Sequence, residues 1–143
     1  MADRAGPVGF IGLGMMGLPM ARSLMARGFS VLGCDTSEAA RASLAEGAPA
    51  GALGFAPDPA TVAAGADVVV LNSRVVAQVM EGPGGLLPAL RPGMLVIDMS
   101  SSEPGETRRL AEAVAPHGAM LVDAPVSGSV AMARTGTLAI MVG

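Results

Sequence analysis

Short apolar runs alternate with amphipathic segments along the whole chain. The run at 8–11 predicts a strand, and after it Leu18, Ala21, Leu24 and Met25 recur at helical spacing until Gly28 ends the helix. The run at 68–71 shows no polar alternation, which is typical of a parallel strand covered on both faces. This alternation of strands and helices predicts an α/β fold, with one doubly wound and mostly parallel sheet in a single domain.

The remaining elements follow from the same periodicities and from Gly and Pro breakers. After a second strand at 29–35, the pattern predicts helices over 36–47, 58–64, 74–80 and 103–115, a helical turn at 86–90, strands near 50–53 and over 94–98 and 120–123, and a last short helix before the apolar run 138–142, which would complete the sheet.

The first strand runs into the sequence Gly12-x-Gly14-x-x-Gly17, which opens the first helix. In such a turn the first glycine permits the tight bend, the second lets the backbone approach a pyrophosphate, and the third allows the helix to pack closely on the strand. The helix N-terminus adds unpaired N–H groups and partial positive charge. Glycine-rich chains produce this spacing by chance and methyltransferases have similar turns, but the flanking strand and helix favour dinucleotide binding.

Asp35 ends the second apolar run, eighteen positions after Gly17. A carboxylate there is placed to accept hydrogen bonds from the ribose diol of the adenosine. It would repel the 2′-phosphate of NADP, and Thr36 and Ser37 bring no cation to neutralise it, so the sequence predicts NAD as the cofactor and NADP as the alternative. Arg41 lies a turn or more into the next helix and would weaken this preference.

Polar residues also follow several later strands: Asn72 and Ser73, the serines at 100–102, and Ser127 with Gly128. Each taken singly is ordinary turn chemistry, but ligands of such sheets bind at the carboxyl ends of the strands. Two other residues of reactive types are not expected to belong to this site. Cys34, the single cysteine, is expected to be a buried thiol, and His117 at a helix C-terminus is typical of a surface residue.

The composition of the chain limits the classes of molecule that it is expected to bind. The 143 residues carry a net charge of −3 and are 51% hydrophobic, so the chain offers no basic surface for nucleic acid or an anionic membrane. It has no signal sequence, no membrane span and no metal-ligand cluster, which predicts a cytoplasmic protein that binds a small molecule. Residues 1–7 are expected to be a disordered tail.

Three segments, GFIGLGMMGLPMA, DMSSSEP and DAPVSGSVAMARTGTLAIMVG, resemble the β-hydroxyacid dehydrogenase family, which includes 3-hydroxyisobutyrate dehydrogenase, 2-hydroxy-3-oxopropionate reductase and 6-phosphogluconate dehydrogenase. The resemblance spans 8–143 and implies an NAD(P)-binding Rossmann domain, a small β-hydroxy acid substrate and a homo-oligomeric full-length protein. It implies cofactor contacts from Gly12, Leu13, Gly14, Met15, Met16, Gly17, Asp35, Leu71, Asn72 and Ser101. It also implies that Ser127, Gly128 and Ser129 bind the carboxylate of the substrate.

The sequence departs from the family in three places. The segment Leu71-Asn72-Ser73 is a few residues shorter than the family's, and Ser129 replaces a glycine. The family's catalytic lysine lies beyond Gly143, before an all-helical domain, and all nine basic residues here are arginines. We therefore expect the cofactor-binding domain of an NAD-dependent dehydrogenase that is inactive by itself. The alternative is a non-catalytic nucleotide-binding or interaction module with the same fold.

Overall fold

The computed structural model describes residues 6–100 and 103–142. Six parallel strands form one sheet in the order β3-β2-β1-β4-β5-β6. Their bounds are β1 Val8–Ile11, β2 Val31–Cys34, β3 Leu53–Phe55, β4 Val68–Leu71, β5 Leu95–Asp98 and β6 Met120–Asp123. The strand order reverses between β1 and β4, so the sheet has its topological switch point beside the glycine turn. The doubly wound parallel fold predicted from the alternation of strands and helices is confirmed.

Helices cover both faces of this sheet. They are α1 Gly17–Ala26, α2 Glu38–Ala45, α3 Pro59–Gly65, α4 Val76–Glu81, α5 Pro104–Val114 and α6 Val130–Thr135, with short 3₁₀ turns at Leu87–Ala89 and Ala115–His117. Two starts follow simple capping chemistry: Ser37 Oγ accepts from Ala40 N at 3.1 Å, and Asp58 Oδ1 accepts from Thr61 N at 2.8 Å. Each cap fixes the residue at which its helix begins.

An aliphatic core lies on each side of the sheet. Phe10 and Leu13 pack with α1 on one face, whereas Ile11, Val69 and Leu71 pack with α3, α4 and α5 on the other. Full burial of one such side chain contributes about 1.5–3 kcal/mol. The central strands β1 and β4 are thereby held in register, with Val8 opposite Val68 and Ile11 opposite Leu71, which fixes the position of the loops that follow them.

Three predicted elements differ from the structure. The third strand begins at Leu53 rather than near residue 50, because its register is set by pairing with β2. The helix predicted over 74–80 begins at Val76 and leaves Arg74 in the preceding turn. The run 138–142 does not join the main sheet. Instead β8, Ala139–Ile140, pairs antiparallel with β7, Val126–Ser127, after a short return through α6 and Gly136 at φ +71°.

The predicted N-terminal tail is described only in part. Residues 1–5 of the expected tail lie outside the described residues, whereas Gly6 is described and exposed. Val8 N donates to Ser30 O at 2.8 Å, so ordered sheet pairing begins at the start of β1. Within 6–100 and 103–142, no helix has both the length and the apolar character required to cross a bilayer.

Candidate dinucleotide-binding site

The three glycines of the turn occupy three different environments. Gly12 has φ +100°, and a Cβ placed on it would lie 1.9 Å from the carbonyl oxygen of Asn72. A Cβ on Gly17 would lie 1.9 Å from the carbonyl oxygen of Gly12. By contrast, a Cβ on Gly14 would have no described atom within 4 Å. The outer glycines are therefore required by the protein's own packing, and the middle one borders open space.

The N-terminus of α1 faces this turn without a side-chain cap. Met16 is the N-cap residue and makes no capping hydrogen bond, and the first turn carries no acidic residue among the described residues. The helix dipole and the lack of a capping side chain therefore favour an anion at this end of the helix. Met15 beside it is 81% exposed.

Asp35 is fixed by the backbone on both sides of its carboxylate. Leu13 N donates to Oδ2 at 2.7 Å, and Ser37 N donates to Oδ1 at 2.8 Å. Through the first of these bonds Asp35 is joined directly to the glycine turn. Arg41 Nη1 donates to the Asp35 carbonyl oxygen at 2.6 Å, so the arginine of α2 lies at the same strand end.

A second set of hydrogen bonds joins the ends of β4 and β5. The buried carboxylate of Asp98 accepts from Ser100 N at 2.9 Å, and Ser100 Oγ accepts from Ser73 N at 2.9 Å. Ser73 Oγ in turn accepts from Val75 N at 3.1 Å. This series fixes the turn between β4 and α4 relative to β5, even though Ser73 and Ser100 are 27 positions apart.

These strand ends enclose a cavity of about 560 Å³ at the carboxyl edge of the sheet. Its lining comprises Gly12, Gly14, Met15, Met16, Asp35, Asn72, Ser73, Arg74 and Ser100. Six of the ten residues expected to contact the cofactor are thus brought together. The position follows the general rule that ligands of doubly wound sheets bind at the switch point.

The other expected cofactor contacts are placed differently. Leu13 is 2% exposed and reaches the site through its N–H group, and Gly17 packs against Gly12 in the turn. Leu71 is fully buried in the core, so its side chain does not reach the cavity, and its carbonyl accepts from Met99 N at 2.9 Å. Ser101 lies outside the described residues.

Three lining residues were absent from the predicted set: Ser73, Arg74 and Ser100. Ser73 and Ser100 follow the ends of β4 and β5, which is a signal that the sequence does contain. The helical pattern of the sequence includes Arg74, so it does not indicate that this residue lies in the turn before α4. The turn between strand and helix is the position from which a side chain can reach a ligand at this edge.

The predicted substrate residues lie in a separate element. Ser127 ends β7, and the exposed Gly128 has φ +144°, a conformation that requires glycine. Ser129 Oγ accepts from Met132 N at 3.2 Å and so caps α6. The three residues come after the carboxyl end of β6 in the chain, and none of them lines the cavity.

Two titratable groups near the strand ends are perturbed by burial. Cys34 is 6% exposed, and burial, reinforced by the charges of Asp58 and Asp35, raises the pKa of its thiol to about 11. The prediction that Cys34 is a buried thiol is confirmed. Burial and the neighbouring carboxylate of Asp98, its cross-strand partner, raise the pKa of Asp123 above its usual range.

His117 lies at the opposite edge from the cavity. It ends the 3₁₀ turn that follows α5, and Gly118 after it accepts from Gly93 N at 2.9 Å, just before β5 begins. This is the amino edge of the sheet. The expectation that His117 stands away from the candidate site is confirmed.

The sequence and the fold both match characterised proteins. The sequence profile of the family described as the NAD binding domain of 6-phosphogluconate dehydrogenase matches residues 7–143. The 2-(hydroxymethyl)glutarate dehydrogenase of Eubacterium barkeri is 44% identical over 140 residues, which cover 95% of this chain and 45% of that protein.

Two solved structures extend the comparison. Mycobacterium tuberculosis 3-hydroxyisobutyrate dehydrogenase with L-serine has a TM-score of 0.87 and 33% identity, covering 98% of this chain and 47% of that one. Psf3 in complex with NADP+ and 2-OPP has a TM-score of 0.84 and 32% identity, covering 94% and 48%. The chain spans less than half the length of each of these relatives.

Proposed function

Because the chain belongs to the family of NAD-binding domains of 6-phosphogluconate dehydrogenase, we propose that residues 8–143 bind a nicotinamide dinucleotide as the cofactor domain of a β-hydroxyacid dehydrogenase. The observation that carries this proposal is the glycine turn. Its outer glycines are demanded by the fold, and its middle glycine opens onto the cavity that also contains Asp35.

Each lining group has a distinct part in binding. The backbone from Gly12 to Gly17 and the uncapped end of α1 would hold the pyrophosphate with N–H groups. Asp35 would accept hydrogen bonds from the adenosine ribose, while its bond to Leu13 keeps the carboxylate in place. Asn72 and Ser100, at the ends of β4 and β5, would face the nicotinamide half. The bound nicotinamide supplies the hydride acceptor, so the residues of the chain orient and position it.

We propose NAD as the preferred cofactor. A 2′-phosphate would be brought against the Asp35 carboxylate, whose two oxygens are directed by Leu13 N and Ser37 N. Arg41 opposes this preference, because its guanidinium lies at the Asp35 carbonyl and carries the charge that a phosphate requires. A similar structure, Psf3, contains NADP+. The preference therefore depends on the balance between one carboxylate and one guanidinium.

The substrate end of the proposal involves Ser127, Gly128 and Ser129. Their N–H and hydroxyl groups, at the edge where β6 ends, suit a small carboxylate such as that of 3-hydroxyisobutyrate. The relative with L-serine and the 44% identical 2-(hydroxymethyl)glutarate dehydrogenase support the substrate class of a small hydroxy acid. Ser129 already caps α6, so it would contribute its backbone more readily than its hydroxyl.

We propose that the 143 residues do not turn over such a substrate by themselves. Oxidation of an alcohol requires a group that accepts its proton, and such groups contribute about 10²–10⁴-fold in rate. The chain contains no lysine, arginine remains protonated, and His117 lies at the wrong edge of the sheet. Because the chain covers less than half of its relatives' length, we propose that the missing group would come from residues outside these 143, in a protein that forms a homo-oligomer.

Calorimetric titration with NAD and NADP tests the proposal. The chain should bind NAD more tightly, and Asp35→Ala should weaken NAD and narrow the difference between the two cofactors. Glu46→Ala is a matched control, because Glu46 is an exposed carboxylate at the end of α2 and lies outside the cavity lining. Tighter binding of NADP would overturn the cofactor preference. Failure of both cofactors to bind would favour the interaction module.

A further inference from the structure

Arg74 is an exposed cation at the β4 end of the cavity. Among the described residues that line the cavity, Arg74 carries the one positive charge and Asp35 the one negative charge. It also borders an adjoining space of about 320 Å³, lined in part by Glu103 and Glu106. A guanidinium in this position is available to whichever anion enters the cavity.

In the described part of the chain, neither of the two neighbouring acidic side chains, Glu103 and Glu106, forms a salt bridge with Arg74. Glu106 pairs with Arg109 at 3.0 Å, and Arg109 also pairs with Glu81. The structure shows no salt bridge from Arg74 to any carboxylate within 6–100 and 103–142. Arg74 therefore lines the cavity without taking part in the salt bridges that Arg109 forms with Glu81 and Glu106.

The backbone on either side of Arg74 is held in place. Ser73 N donates to Ser100 Oγ at 2.9 Å, and Val75 N donates to Ser73 Oγ at 3.1 Å. Ser100 is itself held by the buried Asp98. A turn fixed at both flanks places the Cα of Arg74 relative to the glycine turn and reduces the freedom lost when its side chain binds a ligand.

We propose that Arg74 binds the pyrophosphate of the dinucleotide, and that Ser100 is the residue that positions it. This inference rests on the proposed function. The pyrophosphate carries two negative charges and would lie over Gly14, in the same cavity as Arg74. Guanidinium groups bind phosphate oxygens with two parallel hydrogen bonds. A substrate carboxylate at Ser127 fits less well, since Ser127 does not line this cavity.

Titration with NAD and with ADP-ribose tests this assignment, because both ligands contain the pyrophosphate and only NAD contains nicotinamide. Hydrogen bonds to charged groups contribute enough that Arg74→Gln should weaken both ligands by roughly tenfold, and to the same extent. Arg74→Lys should recover part of the loss, and added salt should reduce the difference between wild type and Arg74→Gln.

Arg134→Gln is the matched control. Arg134 lies in the last turn of α6. The next residue, Thr135, accepts a hydrogen bond through its carbonyl from Arg27. Arg27 follows the C-terminal end of α1, whereas the glycine turn precedes the N-terminal end of that helix. This variant should bind both ligands as the wild type does. Unchanged binding by Arg74→Gln, or a loss for NAD but not for ADP-ribose, would overturn the inference while leaving the proposed function intact. A wild-type chain that binds neither ligand would overturn both.

Discussion

Replacing Gly14 by alanine separates a glycine required by a ligand from one required by the fold. No described atom lies within 4 Å of a Cβ at position 14, so the free energy of unfolding of Gly14→Ala should stay within about 0.5 kcal/mol of the wild type. Gly12→Ala is the contrast. A Cβ at position 12 would lie 1.9 Å from a backbone oxygen, and alanine would be strained at the φ of +100° that Gly12 adopts. The clash and the strain together should lower the free energy of unfolding by at least about 2 kcal/mol.

The affinity for NAD, unlike the stability, should fall when Gly14 is replaced. If the pyrophosphate lies over Gly14, a methyl group there displaces it from the N–H groups of the turn, and losing one charged hydrogen bond costs about 1.5–3 kcal/mol, or roughly 10- to 100-fold in Kd. Urea unfolding and calorimetric titration of both variants measure the two effects. If Gly14→Ala binds NAD as tightly as the wild type, the pyrophosphate does not lie over Gly14. If Gly14→Ala is as unstable as Gly12→Ala, the fold itself requires glycine at position 14.

Three other predictions follow from individual contacts. Ser100→Ala should cost about 1–3 kcal/mol of stability in urea unfolding, since Ser73 N loses its acceptor, and should weaken NAD binding more than Ser100→Thr does. The pKa of Asp123 is raised in the folded state, so ionisation of this carboxyl lowers the stability of the fold as the pH rises from about 3.9 through the raised value. Asp123→Asn should therefore raise Tm more at pH 7 than at pH 4. An equal rise in Tm at both pH values would contradict this. Met141 and Val142 are 57% and 72% exposed, so the isolated chain should self-associate in light scattering and bind ANS, whereas a dye-silent monomer would exclude it.

Much of the fold follows from short-range rules that the sequence displays. Ser37 and Asp58 cap helices because their side chains reach N–H groups three positions later. The glycine turn is similarly local, since its spacing is set by one strand end and one helix start. The position of Asp35 could be predicted because it ends the neighbouring parallel strand.

The errors concern pairings between distant residues. The start of β3 depends on register with β2, where Phe55 lies opposite Gly33 and its ring fills the space that a larger residue would occupy. The hairpin of β7 and β8 depends on Val126 meeting Ile140. Hydrogen bonding between Ser73 and Ser100 crosses 27 positions, so no local pattern could show that Arg74 stands in a fixed turn.

A dinucleotide bound as proposed lies across the carboxyl ends of β2, β1 and β4. Titration of ¹⁵N-labelled chain with NAD, followed through backbone amide chemical shifts, locates the bound ligand on the sheet. The largest shifts should come from Gly12 to Gly17, Ser37 and Ser73, whereas Gly93 and Gly118 at the amino edge should stay unchanged. Absence of shifts at saturating NAD, or shifts confined to the amino edge, would contradict dinucleotide binding at the carboxyl edge of the sheet.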